Sequence, residues 1–333
     1  MPVNITPSTS PFAADLNELD GAAVGRLFFT EPLASHNSWK IGGPADLLVE
    51  PRSSQQVATL VRFARQRQIP LVVIGQGTNL LFDDAGVRGI VLKIGAQLGA
   101  IQIDGQQIIA EGGAWVPQLA RQSMRAGLSG LEHCIGIPGT VGGLVMMNGG
   151  SQRKGIGENI KQVWVVTAEG ETQLLSRDDC AFSYRHSALQ GTGAVVVKAE
   201  LECLRGDIRE VRREMVCDLR NRRQKFPRKL PNCGSVFLSS AEMHASVGPP
   251  GKIIEETGLK GVRFGQAEVS RQHANFIVNL GGATSAEVLT LIAHIRQQVR
   301  QRIDFELDCE VRYVSPQGQL MPAHIAAEAA NHQ

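Results

Sequence analysis

A glycine-rich stretch in the middle of the chain, Gly130–Gly143, constrains the fold more than any other feature. Its sequence is GLEHCIGIPGTVGG, in which five glycines and a proline stand among mostly apolar neighbours. Glycine adopts positive φ without steric cost and lets another group approach bare backbone. N–H groups exposed at close range suit an anionic group such as a diphosphate, and Thr140 adds a hydroxyl donor. A buried turn between two sheets has the same composition, so the spacing alone leaves both interpretations open.

The length and charge of the chain exclude several classes of protein. With 333 residues it is long enough for two or three domains with sizeable cores. The 34 basic and 32 acidic residues give a net charge of +2, which is too small to attract nucleic acid or an anionic membrane surface. No apolar run approaches the roughly 20 residues of a membrane-spanning helix. Met1–Asp20 lacks the basic start and apolar core of a signal peptide.

The cysteines are scattered and form no metal-binding pattern. No CxxC or Cys/His cluster occurs, which argues against a zinc site or any other bound metal. Free thiols in a reducing compartment are the simplest explanation, and they predict a cytoplasmic location. The six positions are Cys134, Cys180, Cys203, Cys217, Cys233 and Cys309.

A strand–helix–strand pattern precedes the glycine-rich stretch. Asp46–Val49 and Leu71–Ile74 are predicted strands, and the helical spacing of apolar residues between Ser54 and Ala64 predicts a helix with one buried face. Such a unit favours a parallel pair of strands. The second strand leads into Gly75–Leu81, where a Gly-x-Gly lacks the third glycine and the long helix of a dinucleotide fingerprint. A loop that contacts phosphate or a ring and a plain turn both remain open.

Sequence patterns over the rest of the chain predict both helices and strands. Phe305–Tyr313 alternates apolar with mostly acidic residues and is a predicted half-buried strand, while Thr284–Glu287 forms a capping box before a long helix. Residues 315–333 are expected to be a mobile or lightly docked tail. The other predicted elements are hairpins at 101–109 and 163–175, helices at 116–126, 207–225 and 251–257, and strands at 90–94, 194–197 and 275–280.

Eight motifs, in order, resemble the UDP-N-acetylenolpyruvoylglucosamine reductase family. Each motif is modest alone, but their order and spacing between about residue 20 and residue 314 are specific. The short spacing between Arg185 and Ser235 resembles the short-loop (type II) subtype. The motifs are Asn37–Ala45, Gly75–Leu80, Gly130–Gly143 with Met147-Asn148, Ser183–Ser187, Asn232–Phe237, Gly251–Gly261, His273–Asn279 and Leu307–Tyr313.

The resemblance implies an α+β fold with an FAD-binding part of the vanillyl-alcohol-oxidase type. It implies a lead-in at 1–20, FAD-binding subdomains at 21–94 and 95–205, a substrate-binding domain at 206–314 and a tail at 315–333. The implied reaction is a hydride relay in which NADPH reduces FAD and the flavin reduces the enolpyruvyl ether of a UDP-sugar to UDP-N-acetylmuramate. The expected state is a monomer or weak oligomer, with no nucleic acid partner and no membrane insertion.

Three catalytic residues follow from the resemblance. Arg185 would bind the substrate carboxylate, Ser235 would donate the proton to the enolate carbon, and Glu310 would polarise the carboxyl group of the enolate. Hydride addition to an enol ether needs a fixed cation, a hydrogen-bonding partner and a proton donor, which these residue types supply. Without the resemblance, each position is more typical of an ordinary surface or turn residue.

The resemblance also implies binding residues for the cofactor and the substrate. Those for FAD lie in the two glycine-rich loops, with Tyr184 near the flavin or nicotinamide. Lys225 would meet the substrate diphosphate, and His273 and Asn275 would contact the sugar nucleotide. The FAD-binding positions are Gly75, Gly77, Thr78, Asn79, Leu80, Gly136, Ile137, Pro138, Gly139, Thr140, Gly142, Gly143 and Tyr184.

Some positions depart from the family pattern, and two other functions remain open. Phe226 replaces a common glutamine, Ser239 stands where a substrate-binding asparagine is frequent, and the segment Leu238–Pro250 is longer than expected. A related FAD-dependent alcohol oxidase would not need the three catalytic residues and would consume oxygen. A flavin- or sugar-nucleotide-binding regulator would show no turnover.

Overall fold

The computed structural model describes residues 10–331, which form two compact units. The first unit holds residues up to Phe29 together with 47–76 and 89–222, and the second holds 30–46, 77–88 and the chain from Arg223 onward. The predicted domain boundaries near 20, 94, 205 and 314 stay predictions. Residues 1–9 of the predicted lead-in and 332–333 of the predicted tail lie outside the described residues.

Local sequence signals start several of the helices. Those described are α1 (Ala13–Asn17), α2 (Gly21–Val24), α3 (Ser54–Gln66), α4 (Val116–Arg125), α5 (Val141–Met146), α6 (Ile208–Lys225), α7 (Ala241–Ser246), α8 (Pro250–Glu256), α9 (Ser285–Ile303) and α10 (Ala323–Asn331). The Ser53 hydroxyl caps α3 by accepting the N–H of Gln56. Thr284 and Glu287 form the predicted capping box of α9.

The strands of the described residues are short and form five sheets. They are β1 (Arg26–Pro32), β2 (Pro44–Glu50), β3 (Leu71–Ile74), β4 (Leu80–Phe82), β5 (Val87–Lys93), β6 (Ile101–Asp104), β7 (Gln107–Glu111), β8 (Leu128–Ser129), β9 (Ile160–Val166), β10 (Thr172–Ser176), β11 (Val195–Glu202), β12 (Leu204–Arg205), β13 (Arg263–Phe264), β14 (Ala267–Val269), β15 (Ile277–Asn279), β16 (Arg312–Val314) and β17 (Leu320–Pro322). The mixture of helices and strands agrees with the predicted α+β class.

The first unit contains a five-stranded sheet in the order β10-β9-β11-β7-β6, and its strand pairs are antiparallel. Both predicted hairpins, β6–β7 and β9–β10, are confirmed. A four-stranded sheet has the order β1-β2-β5-β3, with β3 and β5 parallel. The predicted parallel pairing of the strands at 46–49 and 71–74 is therefore wrong, because β5 lies between β2 and β3.

The second unit packs α9 and α10 against short sheets. One sheet has the order β13-β14-β15, and another has the order β17-β16-β4, in which β16 and β4 are parallel. The expected mobile or lightly docked tail is wrong for the part described. Residues up to 331 form β17 and α10, and Ala323, Ala326 and Ala327 are buried in the same core as α9.

The predicted strand at Phe305–Tyr313 is wrong for most of its length, since only Arg312–Val314 form a strand. Tertiary hydrogen bonds fix the segment before it: the Glu310 N–H donates to the Val236 carbonyl, and the Cys309 N–H donates to His324 Nδ1. No helix in the described part of the chain is both long and apolar enough to cross a membrane.

Candidate functional site

The two glycine-rich loops meet in the first unit. A Cβ atom built on Gly75 would lie 2.3 Å from Thr140 Oγ1, so the backbone of one loop rests on the side chain of the other. Thr140 is buried, with 2% of its surface exposed, and its hydroxyl caps α5 by accepting the N–H of Gly143. The second loop is held from the other side, where the Gly142 and Val141 N–H groups donate to the carbonyls of Gly112 and Ala114.

Several backbone donors of these loops have no partner within the described part of the chain. Within residues 10–331, the N–H groups of Gly75, Gln76, Gly139 and Thr140 donate no hydrogen bond to another residue. Unpaired N–H groups grouped on glycine-rich turns are suited to bind phosphate oxygens. The residues present therefore fit a diphosphate such as that of FAD.

We expect Gly75→Ala to weaken FAD binding at least tenfold and to destabilise the fold by about 1–3 kcal/mol, as overpacked sites do. Its methyl group would collide with Thr140 Oγ1. Thr140→Ala in the same chain should restore part of the lost stability but not the FAD affinity, since Thr140 Cβ would then be the nearest Thr140 atom, at 3.3 Å, while the hydroxyl donor would be gone. Fluorescence of bound and free FAD and urea unfolding measure the two effects.

Gly95→Ala is the matched control, because Gly95 has φ −119° and the nearest atom to an added Cβ is 3.7 Å away. Equal FAD affinities for the Gly75→Ala and Gly95→Ala variants would contradict the proposed close contact.

Arg185 lies in a tight turn of the first unit. Ser183 and His186 exchange two backbone hydrogen bonds of 3.1 Å, and Arg185 has a φ of +53°, a strained region for a residue with a side chain. The Arg185 guanidinium donates to the Gly150 carbonyl at 3.2 Å. Tyr184 is 56% exposed, and its ring lies 5.4 Å from the guanidinium carbon.

The turn is tied to the end of α5 by Asn148 and Ser187, which belong to the family motifs but were given no role from the sequence. Asn148 donates from Nδ2 to the Ser183 carbonyl at 2.7 Å, and Ser187 Oγ donates to the Met146 carbonyl at 2.7 Å. Asn148 itself has φ +40°, a conformation that asparagine tolerates better than most residues. The pattern Met-Asn-Gly-Gly after the glycine loop was the available signal for Asn148.

Ser235 and Glu310 lie on neighbouring backbone segments of the second unit. Val236, next to Ser235, accepts the N–H of Glu310 at 2.8 Å, and Phe237 pairs with Cys309 in an antiparallel bridge. Burial, followed by the nearby Glu310 carboxylate, raises the pKa of the Cys233 thiol, which agrees with this arrangement. The structure thus brings together two of the three predicted catalytic residues, and their proximity to Arg185 stays a prediction.

The Gly77–Leu80 part of the first loop belongs to the second unit, where it contacts the Glu310 segment. Asn79 donates from Nδ2 to the Glu310 carbonyl and accepts the Arg312 N–H through its own carbonyl, both at 3.0 Å. Leu80 then pairs with Arg312 in the parallel β4–β16 ladder. Gly77 has φ +61°, and an added Cβ would lie 2.3 Å from the His36 carbonyl oxygen, so glycine is required there. These contacts fix the Glu310 backbone relative to the Gly77–Leu80 part of the predicted cofactor loop.

Asn275 is held by the backbone that carries Ser235. Its Oδ1 accepts the Phe237 N–H at 2.9 Å, its Nδ2 donates to the Phe237 carbonyl at 3.0 Å, and its own carbonyl accepts the Val236 N–H at 2.9 Å. Only 4% of the residue is exposed. A contact between Asn275 and the sugar nucleotide stays a prediction, whereas its contacts with Phe237 are part of the fold.

His273 lies beside the segment that carries Lys225. Its ring makes edge contacts with Phe226 and Phe276, and Gln272 donates to the Gln224 carbonyl at 2.9 Å. An added Cβ on Gly251 would lie 2.8 Å from His273 Cε1, so this glycine leaves room for the imidazole. Lys225 is exposed. Phe226, where the family often has glutamine, therefore supports the His273 ring by packing.

We expect His273 to make the protein less stable in weak acid. Burial, then the Lys260 charge, lower the pKa of His273, with Lys225 acting the same way and Glu255 opposing them. Its Nδ1 accepts the Asn275 N–H at 3.2 Å, which requires that nitrogen to be unprotonated. The unfolded chain takes up a proton near pH 6.5, but the folded chain does so only at lower pH. The free energy of unfolding should therefore fall as pH decreases below about 6.5.

Urea unfolding between pH 7.5 and 5 measures this effect. His273→Asn is the informative variant, because an asparagine oxygen can replace Nδ1 as acceptor but does not titrate. The free energy of unfolding of the His273→Asn variant, minus that of the parent, should increase as the pH falls. A pH-independent difference would contradict the prediction.

Comparisons with known proteins agree over most of the chain. A family model described as UDP-N-acetylenolpyruvoylglucosamine reductase, C-terminal domain, matches residues 226–314, and one described as FAD binding domain matches residues 45–176. UDP-N-acetylenolpyruvoylglucosamine reductase 1 of Corynebacterium glutamicum is 47% identical over 302 residues, covering 90% of each protein. The Heliobacterium modesticaldum reductase is 41% identical over 294 residues, covering 88% of this chain and 92% of its own.

A solved structure has a similar fold. The crystal structure of UDP-N-acetylenolpyruvylglucosamine reductase from Thermus caldophilus superposes with a TM-score of 0.73 at 30% sequence identity. The match covers 86% of this chain and 98% of the Thermus chain.

Proposed function

The chain belongs to the UDP-N-acetylenolpyruvoylglucosamine reductase family, and we propose that Arg185, Ser235 and Glu310 are its catalytic residues. It is an FAD-containing oxidoreductase of peptidoglycan synthesis, and its substrates are NADPH and the enolpyruvyl ether of a UDP-sugar. The observation that carries the catalytic assignment is the pairing of the Ser235 and Glu310 segments through Val236.

FAD, which the two glycine-rich loops would hold, would supply the hydride-transfer chemistry between NADPH and the methylene carbon of the enolpyruvyl group. The Arg185 guanidinium would neutralise the substrate carboxylate, which gains negative charge as the double bond is reduced. Glu310 would hydrogen-bond that carboxyl group. The Ser235 hydroxyl would then give its proton to the carbon that bears the ether oxygen, which completes the lactyl ether.

Binding roles are proposed for the remaining predicted residues. The glycine loops, whose unpaired N–H groups support the assignment, would hold the FAD diphosphate, with Tyr184 close to the flavin or nicotinamide. Lys225 and His273 would meet the sugar nucleotide, since His273 packs against Phe226, the residue after Lys225, and its neighbour Gln272 donates to the Gln224 carbonyl. The Asn275 side chain would hold the backbone that follows Ser235 in place, and the Asn275 backbone would lie beside the sugar nucleotide.

We further propose a cytoplasmic location and a monomeric or weakly associating state. The six free cysteines support the first proposal, because five of them are buried thiols that no disulfide joins. Light scattering of the purified protein across a concentration series tests the second.

An anaerobic spectral titration tests the function. The purified protein should show the bands of an oxidised flavin, lose them on addition of NADPH and regain them when the enolpyruvyl UDP-sugar is added without oxygen. Product with the mass of UDP-N-acetylmuramate should appear in proportion. Recovery of the bands only with oxygen, or no flavin in the purified protein, would overturn the proposal and favour the alcohol oxidase or the regulator.

A further inference from the structure

The first turn of α10 contacts both neighbours of Glu310 in the chain. The Cys309 N–H donates to His324 Nδ1 at 2.9 Å. The Ala323 N–H donates to the Val311 carbonyl at 2.9 Å. The first N–H groups of a helix have no intrahelical acceptor, so the Val311 carbonyl satisfies a donor that α10 itself cannot. The backbone before and after Glu310 is therefore held by two consecutive residues of α10.

On this side of the Glu310 segment, α10 stands where a neighbouring strand would otherwise lie. On the other side, Phe237 and Cys309 pair in an antiparallel bridge, and the hydrogen bonds of this bridge belong to the residues before and after them. In such a pair the N–H groups of the two facing residues point away from each other. Cys309 is buried and its N–H faces away from the Ser235 segment, so it needs another acceptor. His324 supplies that acceptor.

Contacts with α9 and with the segment before β16 fix the imidazole ring of His324. His324 is buried, with 9% of its surface exposed, and its Nε2 lies 3.5 Å from Asp308 Oδ1. A proton on Nε2, facing this carboxylate, leaves Nδ1 as a hydrogen-bond acceptor. Arg296 of α9 forms an ion pair with Glu328 of α10 and donates from Nε to the Leu307 carbonyl at 2.7 Å. The ring and the backbone that it contacts are thereby tied to the same two helices.

We propose that His324 is a positioning residue for the reductase reaction, which places the Glu310 carboxyl group by accepting the Cys309 N–H. Cys309 directly precedes Glu310, so a displacement of its peptide group also moves Glu310, and a misplacement of about 1 Å is enough to slow catalysis about 10²-fold. The inference rests on the proposed function, because it requires Glu310 to hydrogen-bond the substrate carboxyl group. α10, in the segment where the sequence predicts a mobile or lightly docked tail, thus becomes part of the support of the site.

Half-reaction kinetics of His324→Leu and His324→Asn in the full-length holoprotein test the proposal. Leucine cannot accept the Cys309 N–H, so His324→Leu should slow flavin reoxidation by the UDP-sugar about 10–100-fold and leave flavin reduction by NADPH at the parent rate. An asparagine oxygen can replace Nδ1 as the acceptor, so His324→Asn should recover most of the lost rate at neutral pH. Stopped-flow absorbance without oxygen measures both rates, and circular dichroism and thermal melting establish that each variant is folded.

Ala327→Gly is the matched control. Ala327 lies in the same helix, is 1% exposed and packs in the core with α9. Glycine disfavours helix and leaves packed space empty, so this variant destabilises α10 without removing the acceptor of the Cys309 N–H. Both of its half-reactions should keep the parent rate. Parental reoxidation in His324→Leu, equal slowing of its two half-reactions, or equal slowing in Ala327→Gly would each overturn the proposal.

The pH dependence of reoxidation gives a test that does not need the leucine variant. Burial, then the charge of Arg296 on α9, lower the pKa of His324 from 6.5. Arg312 on β16 acts in the same direction, and Asp308 and Glu328 oppose it, while β17 carries no titratable side chain. Protonation therefore takes place only below pH 6.5, and it abolishes the acceptor at Nδ1. The reoxidation rate of His324→Asn divided by that of the parent should increase as the pH falls from 7.5 to 5, and a constant ratio would overturn the proposal.

A double-mutant cycle with Glu310→Ala shows whether His324 acts through Glu310. In the Glu310→Ala background, His324→Leu should change the reoxidation rate less than about twofold, because the carboxyl group that it positions is gone. Two single effects that multiply in full would overturn the positioning role while leaving Glu310 in the catalytic set. Failure of the proposed function is distinct, since Glu310→Ala would then reoxidise at the parent rate, or the parent protein would fail to reduce the UDP-sugar.

Discussion

Ser235→Ala is expected to leave the reduction of bound flavin by NADPH unchanged and to slow its reoxidation by the enolpyruvyl UDP-sugar about 10²–10⁴-fold. The first half-reaction involves no proton from Ser235, whereas the second ends with protonation of the substrate carbon. A positioned acid contributes a factor of this size, and alanine removes the hydroxyl with no change to the backbone. Stopped-flow absorbance at the flavin band, with each half-reaction started separately and without oxygen, measures both rates.

Ser240→Ala serves as the control for this experiment. Ser240 caps α7 by accepting the Met243 N–H at 3.1 Å, so its loss should cost about 1 kcal/mol of stability and leave both half-reactions at the parent rate. If the Ser235→Ala variant were reoxidised by the UDP-sugar as fast as the parent, another group would have to be the proton donor.

Short-range signals predicted α3, α4, α6, α8 and α9 because each signal acts within one turn, whereas the other described helices were not predicted. The Thr284/Glu287 capping box satisfies backbone groups that any α9 would leave unpaired, and the predicted start at this point is confirmed. The hairpin at Asp104-Gly105 is confirmed for the same reason, since Gly105 has the φ of +59° that a tight turn needs. Neither prediction depended on distant residues.

The prediction failed where distant residues decide the backbone. The alternating pattern of Phe305–Tyr313 is typical of a strand, but Glu310 and Cys309 bond to Val236 and His324 instead of to a continuous neighbouring strand. Pairing of β16 with β4 joins residues about 230 positions apart, and no local pattern specifies such a partner. The position of β5 between β2 and β3 is likewise a property of the assembled sheet.

At the site, the motifs predicted which residues take part, whereas the structure shows which other residues hold them in place. Asn79, predicted to hold the cofactor, also fixes the Glu310 carbonyl, and Gly75 is required by the bulk of Thr140. These pairings could not be read from the sequence, because each joins two motifs that are separately consistent with ordinary turns. The role of Asn275 in the support of Ser235 is of the same kind.

We expect Asn275→Ala to lower the rate of flavin reoxidation by the UDP-sugar about 10–100-fold and the free energy of unfolding by about 2–5 kcal/mol. The stability loss follows because the N–H and carbonyl of Phe237 would both lose a buried partner, each costing about 1–3 kcal/mol. The rate loss follows because these bonds fix Val236 and Phe237, and a misplacement of Ser235 by about 1 Å is enough to cost 10²-fold. Single-turnover reoxidation and urea unfolding measure the two effects.

Asn279→Ala separates positioning from stability. Asn279 has the same burial, 4% exposed, and its side chain likewise donates to a backbone carbonyl, that of Trp39, and accepts the N–H groups of Gly281 and Ala283. Its replacement should destabilise the fold by a similar amount but leave the reoxidation rate of the folded protein near that of the parent, because none of its partners adjoins Ser235. If both alanine variants slowed reoxidation equally, the rate loss would reflect general destabilisation, and Asn275 would have no specific part in positioning the proton donor.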